Sequence, residues 1–214
     1  MTHPASIPVL LVHGMWNAPF WLALLAQRLR AQGFAPRGFG YASVTGGPVQ
    51  AVPKLVEELR SRPVEAVVGH SLGGLIALQA LRQAPELGVR RVVCLGSPLL
   101  GSDTARQLAR QPWGAPLLGR SGELLGRGLS RWEGAAEVGV VAGNVPRGLG
   151  RLVHRFDGPS DGTVAVAETR LPGVAAHCEI DCNHTGLAFS PKAAAQAARF
   201  LREGRFGPAS GAAV

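Results

Sequence analysis

The sequence predicts an α/β fold: a mostly parallel sheet of about six strands with helices on both faces. Three observations lead there. Short continuous apolar runs, such as "IPVLLVHG" (7–14) and "EAVVGHS" (65–71), alternate with longer segments of helical periodicity. The runs are apolar at every position and not at alternate ones, the pattern of strands buried on both faces. The chain has 214 residues, 46% apolar and 17% charged, which suits a single domain with a sizeable core.

The elements follow in order. After the first strand, "WNAPFWLALLAQRLRAQGF" (16–34) reads as a helix, with Leu22, Leu25 and Leu29 on one side and Gly33 as its stop. "PRGFGYAS" (36–43) is a weaker strand, and "PVQAVPKLVEELRSR" (48–62) an amphipathic helix. The strand at 65–71 runs into the helix "LGGLIALQALRQAP" (72–85). "VRRVVCLGSP" (89–98), "EVGVVAGNV" (137–145) and "HCEIDCN" (177–183) complete the strands. "SPKAAAQAARFLR" (190–202) is the closing helix, capped by Ser190 with Pro191 at its first position. Residues 101–136 interrupt the rhythm with short helical pieces rich in Gly, Arg and Leu, as expected of a flap over a cleft. The domain is expected to span 1–203. The tail 204–214 is small, turn-rich and expected to be disordered.

Bulk properties exclude other classes. No apolar run reaches the about 20 residues needed to span a bilayer. The N-terminus lacks a basic start and a small-residue cleavage site, so a cytoplasmic protein is expected. The three cysteines, Cys94, Cys178 and Cys182, show no metal spacing and read as small buried hydrophobes. The net charge of +8 comes almost wholly from arginine, since only Lys54 and Lys192 are lysines. No nucleic-acid-binding signature accompanies it, so no nucleic-acid partner is expected. Between 101 and 155, eight arginines face four acids. If they ring a cleft mouth, they favour anionic lipid surfaces or phosphorylated substrates.

Chemistry centres on Gly69-His70-Ser71-Leu72-Gly73, a G-x-S-x-G motif where a buried strand ends and an apolar helix begins. The turn between them is crowded, which explains Gly69, Gly73 and Gly74 around the serine. A serine hydroxyl needs a base to act as a nucleophile. Of six histidines, His184 follows the last strand, where the chain turns at the carboxyl ends of the strands, and it is preferred over His177 within that strand. His70 adjoins Ser71, but so tight a turn points its side chain away from the cleft. The base needs an acid. "FDGPSDGTV" (156–164) offers Asp157 and Asp161, and Asp161, in a Ser-Asp-Gly turn, is the better placed. The backbone N–H groups of Leu72 and of Met15, in "VHGMW" (12–16), are the expected oxyanion donors. Trp16, Phe20 and Trp21 are expected to pack the first helix onto the sheet, with Trp16 and His70 also candidates for the substrate pocket.

Together "LLVHGMW", "GHSLGGL", "SDGTV" and "NHTGL" resemble the α/β-hydrolase superfamily, most closely small bacterial lipase- and esterase-like members. The resemblance covers 7–202. It implies a three-layer fold and a serine hydrolase that cleaves acyl esters with no metal or organic cofactor. Ser71 would be the nucleophile, His184 the base and Asp161 the acid. The chain is shorter than most members and has no room for a full cap domain, which implies a shallow, partly open cleft. Alternatives of decreasing fit are an acyl-protein or acyl-carrier thioesterase, an acyltransferase, and a non-catalytic binding protein on the same fold.

Overall fold

The computed structural model describes residues 6–148 and 155–208. His3, His154 and the last six residues lie outside them. Six strands form one sheet: β1 (Ile7–Val12), β2 (Phe34–Phe39), β3 (Ala66–His70), β4 (Arg91–Leu95), β5 (Glu137–Gly143) and β6 (Ala176–Ile180). Their order is β2-β1-β3-β4-β5-β6, and every pairing is parallel. The helices are α1 (Ala23–Arg30), α2 (Gly47–Ser61), α3 (Leu72–Gln83), α4 (Asp103–Ala109), α5 (Gly114–Leu118), α6 (Gly122–Arg127), α7 (His184–Leu187) and α8 (Pro191–Glu203).

The unbroken apolar character of the strands is explained by two cores, one on each face. On one face Leu10, Val12, Val67 and Val92 meet Leu55, Leu75 and Leu78 of α2 and α3, and Leu125 of α6. On the other, Val9, Leu11, Val68 and Val93 meet Leu25 and Leu29 of α1 and Ala194, Ala197 and Phe200 of α8. Burial on both sides is what a parallel sheet requires. The chain leaves β1 for β2 at the edge, then returns past β1 to β3. The direction of winding therefore reverses between β1 and β3, where open α/β sheets form their binding crevice. Val12 pairs with Gly69, so both strands end level at that crevice.

Several expected boundaries move. The first helix starts at Ala23, after a 3₁₀ turn over Pro19–Leu22, and residues 16–18 stay outside it. Consequently only Trp21 of the three aromatics packs inward, edge-on to Phe189, while Phe20 is 75% exposed and Trp16 56%. Ser190 caps α8 as expected, accepting from the Ala193 N–H. The segment after α8 does not leave the body at once. Phe206 stacks on Phe200 at 5.0 Å, and the Gly207 N–H donates to Gln196. All three cysteines are free, with Cys94 buried in the core and its thiol pushed up to about 12 by burial.

Candidate active site

Ser71 stands between β3 and α3 with φ 55° and ψ −122°, a conformation non-glycine residues avoid. Backbone bonds hold it there. Its N–H donates to the Leu95 carbonyl at 2.8 Å, and its own carbonyl accepts from Gly74. The turn leaves no room for side chains beside it. A Cβ on Gly69 would fall on the backbone of Gly73 and Gly74, and one on Gly73 would lie 2.7 Å from the His13 carbonyl oxygen. These glycines let β1, β3 and α3 converge at one point.

Two other loops bring the partners to Ser71. The turn after β6 begins α7 with His184. Asn183 caps that helix by accepting from the Gly186 N–H at 2.7 Å. The loop between β5 and β6 carries Asp161, which is buried. His184 Nε2 lies 3.0 Å from Ser71 Oγ, and His184 Nδ1 lies 2.6 Å from Asp161 Oδ2. The other carboxylate oxygen, Oδ1, accepts from the N–H groups of Thr163 at 2.9 Å and Val164 at 2.7 Å. The two loops are also tied through backbone, since the His184 N–H donates to the Asp161 carbonyl. A carboxylate so fixed orients Nδ1–H of the imidazole and leaves Nε2 to accept from the serine hydroxyl.

The loop after β1 completes the crevice. Gly14 rests against the serine: an added Cβ would lie 3.1 Å from Ser71 Cβ. His13 is buried and stacked on Tyr41 at 4.4 Å. Its Nδ1–H donates to the Gly14 carbonyl at 2.8 Å, and burial lowers its pKa. The Gly14–Met15 peptide is trans. With its carbonyl turned to His13, its N–H, that of Met15, faces the opposite way. Leu72 opens α3, so its N–H has no carbonyl partner within the helix. It also lies at the end carrying the positive partial charge of the helix dipole.

Ser71, Asp161 and His184, far apart in sequence, thus form one hydrogen-bonded chain, with Met15 and Leu72 in the two segments flanking the serine. His177 is elsewhere: its Nε2 bonds Thr169 Oγ1, outside this chain. The carboxylate that bonds His184 Nδ1 is that of Asp161 and not Asp157. His70 is only 2% exposed, and its Nε2–H donates to the His184 carbonyl at 3.1 Å, so it underlies His184 and does not line an open pocket. Trp16 sits on the rim, its indole N–H donating to the Leu117 carbonyl at 3.0 Å. Sequence reasoning missed the supporting shell of His13, Tyr41 and Ser43. Nothing in their spacing marks them, because each acts through a contact made in the fold. Among the described residues no group of three or more His, Cys, Asp or Glu could hold a metal ion.

A parallel sheet with a serine at a strained strand-to-helix turn, backed by histidine and aspartate, defines a hydrolase of the α/β class. The chain belongs to the alpha/beta hydrolase family, whose model matches residues 9–206. Solved structures agree on the fold. The mature form of a Bacillus licheniformis lipase is 21% identical, with a TM-score of 0.74 over 94% of this chain and 93% of that one. A pyrethroid hydrolase is 14% identical, with a TM-score of 0.59 over 93% and 98% of the two chains. The esterase domain of a Rhodothermus marinus protein is 18% identical, with a TM-score of 0.55 over 91% and 84%.

Proposed function

We propose that this chain is a carboxylic ester hydrolase in which Ser71 is the nucleophile, His184 the general base and Asp161 the acid that orients it. The observation that carries this reading is the unbroken chain from Ser71 Oγ through His184 to Asp161 Oδ2, at 3.0 and 2.6 Å. In the proposed reaction Ser71 Oγ attacks the acyl carbon as its proton passes to His184 Nε2. The carbonyl oxygen becomes an oxyanion, stabilised by the N–H groups of Met15 and Leu72. Collapse re-forms the C=O bond and breaks the bond to the leaving alkoxide, which takes the proton from His184. Water then attacks the acyl-enzyme, its proton passing to His184. The acid leaves as Ser71 regains that proton.

The substrate is proposed to be a small-molecule or lipid acyl ester, entering beside the exposed indole of Trp16. Contact with anionic lipid surfaces is proposed for the arginine-lined groove of about 790 Å³ between α2, α3 and α6, which includes Arg82, Arg120 and Arg127.

The test is direct. A fluorophosphonate should label the protein at Ser71, and Ser71→Ala should abolish both labelling and hydrolysis of p-nitrophenyl esters with the fold intact. More than a few per cent residual ester turnover in that variant refutes the assignment. Comparing ester with thioester hydrolysis then distinguishes the esterase from a thioesterase.

A further inference from the structure

We propose that Ser43 is a positioning residue for the oxyanion donor Met15, holding Trp16 in a left-handed conformation and being held in turn by the flap. This rests on the ester-hydrolase reading above. Among the described residues only two other than glycine have positive φ: Ser71 at 55° and Trp16 at 57°. A bulky residue in that region is strained, and such strain persists where the surroundings over-determine it. The Trp16 side chain is more than half exposed, so core packing does not hold it. Two hydrogen bonds do. The Trp16 N–H donates to Ser43 Oγ at 3.0 Å, and its indole N–H donates to the Leu117 carbonyl at 3.0 Å.

Both bonds lead to the same part of the molecule. Ser43 is 5% exposed, in the connection between β2 and α2, and its carbonyl accepts from Ser121 Oγ at 2.5 Å. The neighbouring Val44 carbonyl accepts from the Arg120 N–H at 2.9 Å. Gly119, at φ 51°, lies against Val44. The connection is therefore wedged between the flap turn 117–121 and the loop after β1. Met15 is fixed from both sides. His13 holds the carbonyl of the peptide before it, and Ser43 holds the N–H of the peptide after it. Without the Ser43 hydroxyl, Trp16 can relax to negative φ. That rotation turns the Met15–Trp16 peptide and with it the donor.

The experiment measures kcat and KM for a p-nitrophenyl ester, affinity for a trifluoromethyl ketone that forms a charged tetrahedral adduct, and the melting temperature. Ser43→Ala should lower kcat about ten- to hundredfold, because a small misplacement of a donor forfeits much of its effect. KM should change less than about twofold, since the ground-state ester makes little use of that donor. Affinity for the ketone should fall in step with kcat. A merely structural role would lower the melting temperature and leave kcat per folded molecule unchanged. Ser121→Ala, one bond further out, should lower kcat in the same direction by a smaller factor, and it decides the matter if Ser43→Ala does not fold. A folded Ser43→Ala with kcat within about twofold of wild type overturns the proposal. So does the same result for Ser121→Ala where Ser43→Ala fails to fold. A wild-type protein that neither turns over esters nor takes a phosphonate at Ser71 refutes the hydrolase reading itself, and the role of Ser43 falls with it.

Discussion

Burial keeps His70 neutral beneath the active site. The ring has no route to water, and burial, with the nearby His184 acting in the same direction, lowers its pKa to about 4 from the ordinary 6.5. Its Nε2–H is already given to the His184 carbonyl, and its centroid lies 5.1 Å from that of His184. It cannot fill the role of base proposed for His184. His184→Gln is therefore expected to lower kcat by about 10⁴-fold, with His70 in place, in steady-state assays on an ester. The same burial sets a pH dependence of folding. Between pH 6.5 and about 4 the unfolded chain binds a proton at this position and the folded chain does not. Stability is then full above 6.5 and falls as pH falls through that window, by up to about 1.4 kcal/mol per pH unit for one such group. His13 and His177, whose pKa values burial also lowers, add in the same direction. Thermal melts between pH 7 and 4.5 should show this fall, and His70→Gln should flatten it. An unchanged slope in the variant would assign the effect to other groups.

At the scale of elements, the segment 101–136 is sewn to the loop that carries Asp161. Ser102 caps α4, accepting from the Ala105 N–H. Glu168 is buried and accepts from the N–H groups of Asp103 at 2.5 Å and Ala165 at 2.9 Å. Thr104 Oγ1 donates to the Thr163 carbonyl at 2.8 Å, beside the N–H that supports Asp161. Glu168→Ala leaves two partly buried N–H groups without their acceptor and should cost about 1–3 kcal/mol in denaturant unfolding. Glu168→Gln, which keeps one carbonyl acceptor, should cost less. Equal stability of wild type and Glu168→Ala would show that water replaces the carboxylate there. This stitching had no signature in the sequence, because it joins residues some sixty positions apart. Local patterns were legible. The apolar runs located β1, β3, β4 and β5, and the Leu22, Leu25, Leu29 spacing found the buried side of the first helix. The weaker strand expected at 36–43 is β2, which begins at Phe34, inside the span expected for the first helix, and stops at Phe39, because it is an edge strand without a continuous apolar run. The start of that helix was placed too early because Trp16 obeys a tertiary contact and not helical periodicity. Ser71, Asp161 and His184 were legible because each has its own local motif: the turn after β3, the Ser-Asp-Gly turn in the loop between β5 and β6, and the turn after β6. Ser43 was not, since an isolated serine in a connection carries no such mark.

For the molecule as a whole, charge is the property that the proposed chemistry leaves unused. The chain carries +8 at neutral pH. Part of the arginine excess is neutralised locally, as in Arg106 with Asp103 and Arg131 with Glu133. Among the described residues, Arg82, Arg120 and Arg127 form no ion pair with a carboxylate, though all three line the groove between α2, α3 and α6 with Glu123 as its one acid. No helix of the described residues is long and apolar enough to cross a membrane. The contact with lipid proposed for this groove rests on its three arginines. Each basic side chain near an anionic bilayer contributes about 1 kcal/mol, and three acting together suffice for weak, reversible attachment. Vesicles containing anionic lipid should therefore co-sediment the protein, and neutral vesicles should not. The attraction should fade as salt shortens the screening length from about 10 Å at 0.1 M to about 3 Å at 1 M. Replacing Arg82, Arg120 and Arg127 by Gln should abolish sedimentation and leave turnover of a dissolved p-nitrophenyl ester within about twofold, since the link from Arg120 toward the Ser71 crevice is its backbone N–H to the Val44 carbonyl, which the substitution keeps. Equal binding to neutral and anionic vesicles would remove the surface from consideration, and the arginines would then be an ordinary solvated face.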